Sequence, residues 1–289
     1  MNIIKNCDMS KYTSFKTGGK ANALVIPETL DELKEILVSL SGENKPYMVM
    51  GNGSNILVRD EGYHGTIVKL GNAFSQIEIN ETEVKVGAGA LLSAVANEVM
   101  ESDLSGFEFA SGIPGSMGGA IFMNAGAYGS EMKDIVTCAS IMSKDGLKEY
   151  TLDVLGLKLS YRHSVLYETG DIVTSVTLKL DRADKEEVRM KMRNLLEQRN
   201  AKQPVAIPSA GSFFKRPTGH FAGKLIEDAG LKGLSVGGAK VSELHGGFIV
   251  NYNNATATDI IDLMVLVQNT VYDKFGVRLE PEVRIIGKD

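Results

Sequence analysis

Residues 111–129, SGIPGSMGGAIFMNAGAYG, constrain this chain more than any other stretch. Six of them are glycine, at 112, 115, 118, 119, 126 and 129. Glycine admits positive φ and lets another group approach where a Cβ would clash. Successive backbone N–H groups exposed in this way form a concavity for anions, phosphate above all. Ile121, Phe122 and Met123 interrupt the small residues, whereas a flexible linker carries no large apolar side chains. The stretch therefore predicts a rigid, buried loop pressed against a phosphate-bearing ligand. A tightly packed set of turns with no ligand is the competing reading.

The rest of the composition narrows the class. Glycine is in excess, 31 of 289 residues against a usual ~7%, which means many tight turns or a ligand wrapped by backbone. The length suggests roughly two domains. A net charge of −5 and the lack of a Lys/Arg run argue against a nucleic-acid partner. The opening MNIIKNCDMSKYTSF lacks a signal-peptide apolar core, and no run reaches the ~18 apolar residues of a membrane span. Cys7 and Cys138 form no CxxC pair, and His64, His163, His220 and His245 show no metal spacing. These features predict a cytoplasmic protein with no metal and no membrane partner.

Read in order, residues 22–26 predict a strand ended by Pro27. Thr29-x-x-Glu32 then predicts a capped helix with Leu30, Leu33, Ile36, Leu37 and Leu40 on one face. The strand YMVM (47–50) runs into GNGSNILV (51–58). GNGSNI resembles a dinucleotide fingerprint, but Ile56 replaces the third glycine and strand residues follow where a helix is needed, so a Rossmann domain is excluded. That turn still offers N–H groups to a diphosphate. From 66 to 180 the pattern predicts a mainly antiparallel sheet: TIVKL, SQIEIN, EVKVGAGA, a helix at 91–100, a hairpin around Asp145-Gly146, then strand-like LKLSYRHSVL and DIVTSVTLKL. A charged helix over 184–200 precedes irregular chain. Helices follow at 219–229 and, behind the N-cap Thr256-x-x-Asp259, up to Phe275, with a strand at 247–251 between them. VRLEPEVRIIG predicts a last strand.

Three segments carry chemistry. Arg162, in SYRHS, follows an alternating run that would turn it inward, where a guanidinium needs an anion and holds a carboxylate through two bonds. A structural salt bridge is the alternative. Ser212, in AGSFFKRP, lies between a glycine and two aromatics; it is no GxSxG elbow, and serves either as a proton donor or as a plain turn residue. Glu280 and Glu282, two apart on a strand, share one face, either as an acid site or as a solvated edge.

Taken together the motifs resemble the family of UDP-N-acetylenolpyruvoylglucosamine reductases, flavoenzymes of bacterial cell-wall synthesis. The resemblance rests on seven blocks in register: FKTGGKA (15–21), GNGSNILV (51–58), GIPGSMGGAIFMNAGAYG (112–129), SYRHS (160–164), AGSFFKRP (210–217), AGKLIEDAGLKG (222–233) and LEPEVRIIG (279–287). It implies an α+β fold: a two-subdomain FAD-binding region of the vanillyl-alcohol-oxidase-like (PCMH) type plus a smaller α+β substrate-binding domain. The implied division is 1–65 with a returning strand over 277–289, then 66–182, then 183–276 for substrate. FAD is implied to bind non-covalently through Gly51, Asn52, Gly53, Ser54 and Asn55, and through Ser111, Gly112, Ile113, Pro114, Gly115, Gly118, Gly119, Ala120, Asn124, Gly126 and Ala127.

The resemblance further implies NADPH as co-substrate and a UDP-sugar enol ether as substrate, reduced by hydride from FAD N5. Arg162 and Glu282 match the pair that stabilises the enolate-like state, and Ser212 the proton donor. Tyr161, Lys202, Lys215, Arg216 and Lys224 match substrate-binding positions, and no oligomer is required. The chain resembles the shorter branch of the family: 49 residues separate Arg162 from Ser212, too few for the tyrosine-bearing insertion of the longer branch. Arg216 stands where some members have Asn. The alternatives are another flavin oxidoreductase of this fold acting on a sugar or alcohol, and a non-catalytic nucleotide-binding protein. The first commonly attaches FAD through a histidine absent from GNGSN, and the second would lack Arg162, Ser212 and Glu282.

Overall fold

Alternation of apolar and polar residues turns one face of a strand inward, most clearly in Glu83–Gly87, and five strands between 77 and 179 form one antiparallel sheet. The computed structural model describes residues 1–288, which fall into two compact units. The first comprises residues 1–4, 23–52 and 65–198; the second comprises 5–22, 53–64 and the described chain from 199 on.

In the first unit five strands lie in the order Glu149–Asp153, Val136–Met142, Ile172–Lys179, Glu83–Gly87 and Ile77–Asn80. Val84, Val86, Val176 and Leu178 are all fully buried, and the register pairs Val86 with Val176 and Val84 with Leu178. Burial of such a side chain contributes about 1.5–3 kcal/mol. The helices Leu30–Gly42 and Leu92–Glu101 bury Leu33, Leu37, Val95 and Val99 in the same core. The Asp145-Gly146 turn closes the predicted hairpin, with Gly146 at φ 75° and the Asp145 carboxylate accepting the Leu147 N–H at 3.0 Å. A second sheet pairs Tyr47–Met50 in parallel with the 66–69 part of Tyr63–Lys69.

In the second unit the strands Ser235–Val236, Ala239–Val241 and Ile249–Asn251 form a small antiparallel sheet, with the helix Ala257–Phe275 making contact with all three strands. Ile56–Val58 pairs in parallel with Arg284–Ile286. Phe213 is fully buried between Phe15 (ring centroids 6.2 Å) and Phe214 (5.3 Å). The predicted cap of the long helix is complete: Thr256 Oγ1 accepts from Asp259 N–H, and Asp259 Oδ2 accepts from the N–H groups of Thr256 and Gly238, each at 3.0 Å. Asp259→Ala is expected to lower stability by about 1–2 kcal/mol, read as a urea midpoint. The backbone donors hold the Asp259 carboxyl below its ordinary pKa. Its contribution is therefore full above the usual Asp range and lost as pH falls through the folded value, so the gap between wild type and variant should close in acid.

The structure departs from the expectations in three places. Residues 111–129 are not all loop: Met117–Phe122 is a short helix that buries Met117 and Ile121. LKLSYRHSVL is no strand; Ser160 and His163 bond each other across a two-residue turn, and Leu166–Thr169 is a single helical turn. The last strand is only Arg284–Ile286, so Glu280 and Glu282 lie on irregular chain: Glu280 is exposed and Glu282 half-buried.

Candidate functional site

The helix Met117–Phe122 begins the glycine site of the first unit. First-turn N–H groups have no intrahelical acceptor. Here Met117 and Gly118 donate to the carbonyls of Ala90 (2.9 Å) and Ala88 (2.8 Å), while Gly119 N–H meets no acceptor among the described residues. The glycines divide in the same way. A Cβ on Gly118 would stand 2.9 Å from the Ala88 Cβ, and one on Gly126 2.7 Å from the Glu131 Cβ, so these two are required by the chain's own packing. A Cβ on Gly119 would meet only Ser116 Oγ, at 3.5 Å. Ser116 is 2% exposed and its hydroxyl has no partner. It also packs on Gly51, where any Cβ would collide with that oxygen.

Sequence reasoning missed Ser116 and Lys69, which are also here. Lys69 Nζ donates to the Gly51 carbonyl at 3.3 Å, and burial pushes its pKa down. Nothing local marks either residue; the parallel pairing of Met50 with Lys69 brings the lysine to the glycine turn.

Arg162 is the second of the two central residues of the Ser160–His163 turn, at φ 53°, a left-handed conformation that costs a non-glycine residue of order 1–3 kcal/mol. Its guanidinium carbon lies 5.2 Å from the centre of the half-exposed Tyr161 ring. The turn is tied to the glycine stretch from inside. Asn124 is fully buried, and its Nδ2 donates to Glu131 (2.7 Å) and to the Ser160 carbonyl (3.1 Å), while Oδ1 accepts the Lys133 N–H. Ser164 Oγ donates to the Phe122 carbonyl at 2.8 Å. Of the remaining predicted positions here, Pro114 is exposed, Ala120 is buried, and Ser111, Gly112, Ile113, Gly115 and Ala127 are half-buried.

In the second unit Ser212 and Glu282 are neighbours through backbone. Phe213 N–H donates to the Gly247 carbonyl and Glu282 N–H donates to the Phe213 carbonyl, both at 2.8 Å. Ser212 is exposed on the edge of buried Phe213 and Phe214. Asn55 Nδ2 donates to the Glu282 carbonyl at 3.2 Å, and Arg284 N–H donates to the Asn55 carbonyl at 3.0 Å. Asn55 of the glycine turn thus shares two hydrogen bonds with the glutamate segment. Gly53, at φ 68°, is forced by the Tyr12 carbonyl, which a Cβ would strike. Lys215 pairs with Glu280 at 3.4 Å, and the Arg216 guanidinium carbon lies 4.7 Å from the centre of the exposed Phe221 ring. Lys224 bonds Asp228 at 2.6 Å, which raises its pKa, and Lys202 is exposed at the end of the helix Lys185–Lys202. No helix among the described residues is long and apolar enough to cross a membrane.

Residues 21–149 match the FAD binding domain family, and residues 203–286 the C-terminal domain of UDP-N-acetylenolpyruvoylglucosamine reductase. A reductase of that name from Alkaliphilus oremlandii is 51% identical over 97% of this chain and 92% of its own length; one from Clostridioides difficile is 47% identical over the same shares. The crystal structure of the reductase from Thermus caldophilus is 36% identical and superposes with a TM-score of 0.84 over 99% of this chain and 98% of that one. These matches bear out the α+β fold class expected from the sequence. The chain belongs to the UDP-N-acetylenolpyruvoylglucosamine reductase family and is an oxidoreductase with a FAD-binding domain.

Proposed function

We propose that this enzyme reduces the enolpyruvyl ether of UDP-N-acetylglucosamine to UDP-N-acetylmuramate, in the cytoplasm, for peptidoglycan synthesis, with NADPH as reductant. The observation that most supports it is the register of Ser212 and Glu282, fixed on either side of Phe213 within the unit that matches the reductase C-terminal domain. When bound, FAD would supply hydride chemistry, carrying hydride from NADPH to the substrate's methylene carbon. The features around Ser116 fit such a cofactor: among the described residues, a buried hydroxyl without a partner and an adjacent N–H at Gly119 without an acceptor, at a position where a Cβ would make only one ordinary contact. In this reading 51–55 and the predicted positions of 111–127 hold FAD, Lys69 adds positive charge beside Gly51, and Asn124 braces the loop from within.

The chain's own residues then handle charge and proton. Hydride on the methylene carbon turns it into a methyl group and leaves an electron pair on the ether-bearing carbon, delocalised into the carboxylate. Arg162 and Glu282 stabilise that enolate-like state, and Ser212 Oγ gives its proton to the carbon, regaining one from solvent. The net change is addition of one hydride and one proton across the double bond. Tyr161, Lys202, Lys215, Arg216 and Lys224 bind the sugar nucleotide.

The purified enzyme is expected to be yellow and to release its flavin on denaturation. Stopped-flow absorbance should show bleaching by NADPH and reoxidation by the UDP-sugar enol ether. Reoxidation by simple sugars or alcohols instead would assign a different oxidoreductase of this fold.

A further inference from the structure

Neither Ser212 nor Glu282 owes its place to its own side chain alone; Ser212 precedes Phe213 in the chain, and the Glu282 N–H donates to the Phe213 carbonyl. The Phe213 N–H is held at 2.8 Å by the Gly247 carbonyl, so the 245–247 loop anchors the residue that both depend on. The loop closes on a histidine: Gly247 N–H donates to His245 Nδ1 at 3.1 Å. The ring is fixed on its other sides. It meets Phe248 edge-on, centroids 5.0 Å apart, and packs on Gly223, where a Cβ would come within 3.2 Å of Cε1. Its backbone N–H donates to Ser242 Oγ at 3.3 Å and its carbonyl accepts the Phe248 N–H at 3.0 Å. This is the geometry of an Asx turn, a side-chain acceptor holding the N–H two residues on, with an imidazole in place of a carboxamide.

We propose that His245 is a positioning residue for Ser212 and Glu282: its unprotonated Nδ1 holds the N–H of Gly247, the residue whose carbonyl fixes the Phe213 N–H and through Phe213 both residues. The inference rests on the roles proposed above for Ser212 and Glu282. A proton on Nδ1 would set two N–H groups against each other and release the loop. Burial pushes the His245 pKa below its ordinary value; Lys232 acts in the same direction and Glu227 opposes it, the two forming an ion pair at 3.3 Å. The link is therefore intact at neutral pH and is lost as pH falls through the folded value.

The test uses flavin-loaded enzyme and two variants. His245→Ala removes the acceptor; His245→Asn restores one that does not titrate. His245→Ala should keep flavin reduction by NADPH within about twofold of wild type and slow reoxidation by the enol ether roughly 10- to 100-fold, the scale of an ångström-level misplacement. His245→Asn should recover most of the rate and lack the acid limb expected of wild type. Amide NMR of the wild type gives a readout free of turnover: Gly247, Phe213 and Glu282 N–H resonances should shift with the same midpoint as the His245 imidazole. Equal loss in both half-reactions, no rescue by Asn, or amides that ignore the imidazole titration would each overturn the inference. The NMR arm needs no substrate, so it decides this point even if the enol ether fails to reoxidise wild type, which would overturn the functional assignment instead.

Discussion

Ser212→Ala is expected to leave NADPH-driven flavin reduction within about twofold of wild type and to slow reoxidation by the enol ether by about 10²- to 10⁴-fold, the usual loss of one general acid. The split follows from the proton's place in the proposed mechanism, in which the first half-reaction needs none from Ser212 and the second ends with one. The fold should not register the change. Ser212 is exposed, and the adjacent Phe213 and Phe214, which anchor this segment, are untouched. Removing one hydroxyl there opens no cavity, so stability should stay within about 0.5 kcal/mol of wild type. Glu282→Gln should behave similarly but lose less, about 3–4 kcal/mol at most of transition-state stabilisation. Stopped-flow traces of the two half-reactions check both variants. Slowing of both halves by Ser212→Ala would mean that the serine binds or braces and does not donate.

These expectations came from motifs, and their reach has a physical boundary. The long helix Ala257–Phe275 was legible because its signals are local: a Thr256/Asp259 box at one end, Gly276 in left-handed conformation at the other, and apolar residues at helical spacing between. The Asp145-Gly146 hairpin was legible for the same reason. The SYRHS segment misled because alternation in LKLSYRHSVL has the period of a strand, yet its backbone donors find partners across a two-residue turn and not across a sheet. The short helix inside 111–129 was hidden by two glycines in its first turn, poor helix formers; its start is held by the carbonyls of Ala90 and Ala88, which take the N–H groups of Met117 and Gly118. Lys69, Ser116 and His245 were invisible for a different reason. Each acts on a residue brought near by folding, or, for His245, through a ring nitrogen in a role that sequence rules give to Asn and Asp.

Gly119→Ala separates the two roles of the opening glycine stretch, and its expected result is a stable protein that holds FAD poorly. The substitution sits on the helix Met117–Phe122, where alanine is favoured over glycine by about 0.8–1 kcal/mol. The new Cβ meets only Ser116 Oγ, at an ordinary contact of 3.5 Å. The flavin-free protein should therefore melt at the wild-type temperature or slightly above. If the space beside Gly119 belongs to the cofactor, the methyl group overpacks it, and FAD should bind about 5- to 150-fold more weakly, the 1–3 kcal/mol typical of overpacking. Gly118→Ala is the control with the opposite signature: its Cβ would press on Ala88 at 2.9 Å, so the flavin-free protein itself should lose stability. Fluorescence titration of flavin-free protein with FAD, beside thermal melts of the same samples, reads both quantities. A Gly119→Ala protein that binds FAD as tightly as wild type would move the cofactor away from this helix. It would leave Gly119 with no cofactor role, while Gly118 and Gly126 stay explained by packing.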